Sequence, residues 1–123
     1  MNKKRVLVVD DSEQTCDLLC AVLDGMELDT EKVYNGEEAL ERINQLRPDL
    51  VISDVMMPRM NGFELLEKIK SGEYASTPVI MLSVKTDRQY LNQGIKLGAE
   101  FYLAKPIDAE NLANFIDLIF QEN

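Results

Sequence analysis

The stretch that decides the fold is MNKKRVLVVDDSE, residues 1–13. It joins an apolar run, residues 6–9, to two adjacent carboxylates, Asp10 and Asp11. An unbroken apolar run is typical of a strand buried on both faces, as in a parallel sheet covered by helices. At the end of such a strand both side chains can turn into one cleft, where each carboxylate raises the other's cost of ionising. The sequence therefore predicts a buried strand that ends at a negatively charged cleft.

Four further segments repeat the pattern of an apolar run followed by an amphipathic stretch. The predicted strands are RVLVVD (5–10), LDTEKVY (28–34), DLVISD (49–54), PVIMLS (78–83) and EFYLA (100–104). The helical stretches begin near Ser12, Asn35, Arg59, Asp87 and Asp108, and Ser12, Asn35 and Asp108 are good helix caps. Five such pairs predict one α/β domain over residues 1–123, with a doubly wound, five-stranded parallel sheet, (βα)5, of flavodoxin-like architecture.

The composition excludes several classes of function. Thirteen Lys and Arg against twenty-two Asp and Glu give a net charge of −9, which disfavours direct binding of nucleic acid or anionic lipid outside a local basic patch. No apolar stretch approaches the roughly 20 residues of a membrane span, and no signal-peptide core follows the start, so a cytoplasmic location is expected. The chain has no His, which excludes serine-histidine catalysis and histidine-ligated zinc.

Reactive side chains stand at the ends of four of the predicted strands. They are Asp10 and Asp11, Asp54, Ser83 and Lys105. Parallel α/β sheets bind ligands at the carboxyl ends of their strands, so these side chains are expected to converge. Two carboxylates about 5 Å apart repel by about 3 kcal/mol at an effective dielectric constant of about 20, and a divalent cation would remove that repulsion. Oxygen ligands without His favour Mg²⁺, with Mn²⁺ also possible.

Given such a metal, one carboxylate could attack phosphorus and form an aspartyl phosphate. Asp54 is the candidate because it ends a buried strand and precedes a turn-rich segment that leaves room for a donor. Lys105 would then pair with a phosphoryl oxygen and Ser83 would donate a hydrogen bond to another. The alternative is structural: the acids cap helices and Lys105 pairs with one of them.

These residues resemble the receiver domain of two-component response regulators, the CheY-like family. The likeness covers nearly the whole chain through VLVVDDSE, DLVISDVMMPRMNGFELL, PVIMLS and GAEFYLAKPI. The resemblance implies a role for each matching residue: Asp54 as phosphoacceptor; Asp10, Asp11, Asp54 and the Met56 carbonyl as ligands of Mg²⁺; Ser83 as the conformational hydroxyl; Tyr102 as the aromatic switch; and Lys105 as the phosphate-pairing lysine. It also implies a cis bond between Lys105 and Pro106.

The same resemblance implies the function and the partners. Asp54 would accept a phosphoryl group from a histidine kinase or a histidine phosphotransfer protein in a Mg²⁺-dependent reaction. Phosphorylation would change the surface of the fourth helix, fifth strand and fifth helix, where Tyr90 and Ile95 are candidate contacts unless they belong to the core. That surface would act on a downstream effector protein or an output domain. The protein would thus assist its own phosphorylation and dephosphorylation without being an enzyme in the usual sense.

Three other functions compete with this one. A haloacid-dehalogenase-like phosphatase also builds an aspartyl phosphate, but it needs a second acid two residues after the nucleophile, and Met56 stands there. A flavin or nicotinamide carrier is disfavoured because DDSEQT is acidic where a phosphate loop has glycines. The third competitor is a phosphorylation-independent interaction module, which a missing acid, acceptor or lysine would favour; all three are present.

Overall fold

The computed structural model describes residues 3–121, which form a five-stranded sheet and five helices. The strands are β1 (Arg5–Val9), β2 (Asp29–Val33), β3 (Leu50–Asp54), β4 (Val79–Ser83) and β5 (Phe101–Ala104). The helices are α1 (Glu13–Gly25), α2 (Gly36–Leu46), α3 (Gly62–Lys70), α4 (Arg88–Lys96) and α5 (Ala109–Phe120). The predicted alternation of strand and helix is confirmed. No helix within residues 3–121 combines the length and the apolar character that a membrane crossing requires.

All strand pairs are parallel, and the order in the sheet is β2-β1-β3-β4-β5. This is the flavodoxin-like order, so the predicted fold class is confirmed. The chain winds outward in one direction from β1 to β2 and in the other from β3 to β5. The direction therefore reverses between β1 and β3, and sheets of this kind bind their ligands at the carboxyl ends of the two strands on either side of such a reversal.

Alternate side chains of the central strands supply two separate cores. Val8, Ile52 and Ile80 lie on one face and pack with α1 and α5. Leu7, Val51 and Met81 lie on the other and pack with α2 and α3. The continuous apolar character of β3 and β4 follows from burial on both faces, where alternation with polar residues would place polar groups in a core.

Helix starts follow the predicted caps with one difference. The side chains of Ser12, Asn35 and Asp108 accept backbone N–H bonds in the first turns of α1, α2 and α5, as predicted. The third helix was predicted to begin near Arg59, but it begins three residues later, after Asn61. Arg59 has a φ of 65°, which a right-handed helix excludes, and Asn61 forms a capping box with Glu64.

One lysine ties three segments together at the amino-terminal edge of the sheet. Nζ of Lys70 donates to the carbonyls of Ala75 and Thr77 and to the carboxylate of Glu100. Glu100 in turn accepts the backbone N–H of Val79 at 2.7 Å, which fixes the entry to β4. The end of α3, the turn after it and the start of β5 are thus joined through one ammonium group.

We expect Lys70→Met to lower the free energy of unfolding by about 1–3 kcal/mol, because it leaves two carbonyls and a carboxylate without their charged donor. Urea unfolding measures the change. Lys68→Met is the matched control, since Lys68 is exposed on the same helix and should change stability by less than about 0.5 kcal/mol. Equal effects of the two substitutions would contradict the role given to the Lys70 network.

Candidate functional site

Three carboxylates gather at the carboxyl ends of β1 and β3. Asp10 directly follows β1 and Asp54 ends β3, and both are buried, at 0% and 4% exposure. Asp11 is exposed beside them. One oxygen from each of the three lies within 4.8 Å of the others, so these acids could together hold a metal ion. Oxygen-only donors at this spacing suit Mg²⁺ or Mn²⁺.

Lys105 directly follows β5, two strands away from β3, and its side chain reaches this acidic group. Its Nζ lies 2.8 Å from Oδ2 of Asp10 and 3.3 Å from Oδ1 of Asp54. Its backbone N–H donates to the carbonyl of Ser83, which fixes the position of the lysine backbone beside the end of β4. The bond from Lys105 to Pro106 is cis, as the resemblance implies. The lysine therefore bridges two buried carboxylates.

Burial sets the protonation behaviour of these groups. Desolvation, followed by the charge of Asp10, raises the pKa of Asp54 from 3.8 to about 6, although Lys105 acts in the opposite direction. For Lys105, burial lowers the pKa, but the hydrogen bond to Asp10 and the charge of Asp54 outweigh that effect, so its pKa is raised. The site thus makes one carboxylate a weaker acid and keeps the ammonium charged.

Ser83 and Tyr102 are connected through the backbone of one residue. Ser83 is fully buried at the end of β4, and its Oγ accepts the N–H of Lys85 at 2.9 Å. The hydroxyl of Tyr102 donates to the carbonyl of Lys85 at 2.6 Å. Burial raises the pKa of the Tyr102 hydroxyl above its ordinary 10.0, and at neutral pH the group is protonated and can donate. These bonds link the ends of β4 and β5 to the loop that leads into α4.

Met56 lies beside the acids, and its N–H donates to Oδ1 of Asp54 at 3.4 Å. Gly62 is a close neighbour that the sequence analysis missed. A Cβ atom at Gly62 would stand 2.2 Å from the carbonyl oxygen of Asp54, so only glycine lets the start of α3 approach this strand end. Its signal in the sequence is a glycine at the first position of a helix.

The two predicted surface candidates on α4 differ in their placement. Tyr90 is half-buried and its ring stacks on that of Phe63 in α3, so it belongs largely to the core. Ile95 is 51% exposed, and Leu91 on the same helix is 39% exposed. The exposed apolar surface of α4 is therefore formed by Leu91 and Ile95.

Comparison with known protein families shows to which family this fold belongs. A sequence model described as the response regulator receiver domain matches residues 6–117. The chain belongs to this family. It is 36% identical over 110 residues to the DNA-binding response regulator MtrA of Mycolicibacterium paratuberculosis, covering 89% of this chain and 48% of MtrA. It is 43% identical over 112 residues to the two-component response regulator ARR10 of Arabidopsis thaliana, covering 89% of this chain and 20% of ARR10.

Solved structures agree with the receiver assignment. The chemotaxis response regulator CheY4 of Vibrio cholerae superposes with a TM-score of 0.90 at 32% identity, covering 97% of this chain and 100% of the CheY4 chain. This receiver domain spans about half the length of MtrA and a smaller part of ARR10. The likeness thus extends over a whole CheY4 chain but only over part of the other two proteins.

The raised pKa of Asp54 predicts how the stability of this receiver domain depends on pH. Because the folded pKa, about 6, exceeds the ordinary 3.8, the folded state holds the proton more tightly than the unfolded chain. The stabilisation is complete below pH 3.8 and is lost as pH rises to about 6. Relative to Asp54→Asn, the wild type should therefore lose on the order of 1–3 kcal/mol over this interval.

Urea unfolding from pH 4 to pH 7 in a buffer with a chelator measures this difference. Asp117→Asn removes an exposed carboxylate from α5 and should follow the wild type. If the curves of the wild type and Asp54→Asn stay parallel through this range, the proposed burial effect on Asp54 is wrong.

Proposed function

We propose that this receiver domain accepts a phosphoryl group on Asp54 from a partner histidine kinase or histidine phosphotransfer protein. The observation that carries the proposal is the placement of Lys105, whose Nζ contacts both Asp10 and Asp54 at the carboxyl edge of the sheet. Lys105 stands between the candidate acceptor and a candidate metal ligand, where its ammonium group can pair with an oxygen of an incoming phosphoryl group. Family membership supports the same role.

The transfer needs a carboxylate, a cationic partner and a hydroxyl donor, and each is present. An oxygen of Asp54 would attack phosphorus while the bond from phosphorus to the donor's imidazole nitrogen breaks, and that nitrogen keeps the bonding pair. Lys105 would then move from the carboxylates to a phosphoryl oxygen, a short displacement for a flexible side chain. The buried Ser83 hydroxyl would donate to another phosphoryl oxygen.

The residues present fit Mg²⁺. Asp10, Asp11, Asp54 and the carbonyl of Met56 would hold the ion, and the carboxylate oxygens of the three acids lie close enough together to do so. When bound, Mg²⁺ would balance the negative charge of the carboxylates and of the incoming phosphoryl oxygens. Mn²⁺ would be accepted by the same oxygen donors.

The switch would start at Ser83. Its oxygen accepts the Lys85 N–H in this structure, and its proton can be donated to a phosphoryl oxygen at the same time. Any movement of Ser83 toward the phosphoryl group would then pull Lys85, whose carbonyl holds the Tyr102 hydroxyl. The affected surface is that of α4, β5 and α5, on which Leu91 and Ile95 are exposed.

The output would pass to an effector protein or to an output domain. MtrA is named a DNA-binding response regulator, and the chain matches about half of it. With its net charge of −9, the receiver domain would not itself bind nucleic acid or a membrane, and we propose a cytoplasmic location. A phosphatase is disfavoured because Met56 stands where its second acid is needed.

Acetyl phosphate with Mg²⁺ tests the acceptor directly. The wild type should gain the mass of one phosphoryl group in intact-protein mass spectrometry, and Asp54→Asn should gain none because its amide is a poor nucleophile. Asp117→Asn is the matched control, since the same change at an exposed position on α5 should leave the adduct intact. An equal adduct on Asp54→Asn, or none on the wild type, would refute the proposal and favour a phosphorylation-independent module.

Thermal unfolding with Mg²⁺ tests the metal site. Mg²⁺ at 100 times its dissociation constant should stabilise the wild type by about 2.7 kcal/mol, because only the folded chain gathers the acids. Asp11→Ala should reduce this shift strongly, whereas Glu13→Ala, which removes a neighbouring exposed carboxylate outside the site, should not. Identical Mg²⁺ shifts in Asp11→Ala and the wild type would rule out the proposed ligand set.

A further inference from the structure

Three aromatic side chains from different elements converge beneath α4. They are Phe63 of α3, Tyr90 of α4 and Tyr102 of β5. The rings of Phe63 and Tyr90 stack with centroids 6.1 Å apart and planes inclined by 25°. A Cβ atom on Gly94 would lie 2.9 Å from Cδ2 of Tyr102 and 3.5 Å from Cε1 of Phe63. Gly94 thus lets the Tyr102 and Phe63 rings come close to the α4 backbone.

Phe63 directly follows Gly62, whose backbone packs closely against Asp54. Gly62 packs against the Asp54 carbonyl, where a Cβ atom would come within 2.2 Å, and its N–H donates to the carbonyl of Val55 at 2.8 Å. Phe63 itself is only 6% exposed. A displacement at the end of β3 therefore acts first on the backbone that carries the Phe63 ring, because close-packed groups have little free space in which to absorb it.

α4 has few other attachments. Gly94 is its one buried residue among those of the helix, all of which the structure describes. Asp87, at its N-cap, makes no side-chain capping bond, and Leu91 and Ile95 are exposed. The stacking of the Tyr90 ring on Phe63 is consequently one of the main contacts that hold α4 in position.

We infer that Phe63 and Tyr90 are positioning residues that couple the state of Asp54 to α4. This inference rests on the proposed function, because it concerns how phosphorylation of Asp54 would be transmitted. The route runs through stacked rings from α3, and it is distinct from the hydrogen bonds that join Ser83, Lys85 and Tyr102. The two routes meet at Gly94, against which the rings of Phe63 and Tyr102 both lie.

Amide shifts on addition of beryllofluoride and Mg²⁺ measure this coupling. Beryllofluoride mimics the phosphoryl group, and shifts at Asp54 and Val55 report that it has bound. In Tyr90→Leu, binding should persist while the shift changes along α4 fall to about half or less. Tyr90→Phe keeps the ring and should behave as the wild type. Tyr74→Leu is the matched control, since Tyr74 is also half-buried against the same core but lies away from α4.

Full α4 shift changes in Tyr90→Leu, equal to those in Tyr74→Leu, would overturn the inference. Failure of the wild type to bind beryllofluoride would refute the proposed function, and the coupling role would fall with it. Hydrogen exchange of the unliganded protein separates the two cases. Tyr90→Leu should exchange the α4 amides at least severalfold faster than Tyr74→Leu, and equal rates would show that the ring does not fix α4.

Discussion

The rest of the site depends on one constraint, the placement of two buried carboxylates at the ends of adjacent strands. Asp10 and Asp54 cannot both be ionised away from water unless something offsets their repulsion. In this structure Lys105 supplies part of that offset through contacts of 2.8 and 3.3 Å. That offset is incomplete, because burial first, and then the charge of Asp10, still raise the pKa of Asp54. Because one ammonium group stands beside three carboxylates, a cation would be favourable here.

Strand order explains why this constraint can be met. β1 and β3 are adjacent parallel strands, because the chain adds strands on one side of β1 first and then on the other. Asp10 and Asp54, at the ends of these strands, are therefore neighbours although 43 residues separate them in the chain. Lys105 lies two strands beyond Asp54, and its long side chain spans that distance while its backbone is held by Ser83. A phosphoryl group on Asp54 would compete for the same ammonium group. The lysine therefore links the charge state of the cleft to the end of β5.

The sequence predicted the features that depend on local pattern. Apolar runs located the strands, cap residues located most helix starts, and the rule for parallel sheets brought Asp10, Asp54 and Lys105 to one edge. It failed where a tertiary contact or an unusual backbone angle decides the outcome. The positive φ of Arg59 moved the start of α3, and the stacking of Tyr90 on Phe63 requires knowledge of which helices are neighbours. Gly62 and Gly94 carry no side-chain pattern that would reveal their close contacts.

α4 is weakly attached because its one buried residue, Gly94, has no side chain to pack. The same glycine leaves room for the rings of Tyr102 and Phe63. A larger residue at Gly94 would bury more apolar surface, but it would also displace the Tyr102 ring by which β5 contacts the helix. The exposed Leu91 and Ile95 add surface without adding core contacts. An element held by few contacts can change position at low cost in free energy, whereas β3 and β4, buried on both faces, cannot. The fold thus combines an acidic edge carried by strands buried on both faces with a helix, α4, in which only Gly94 is buried.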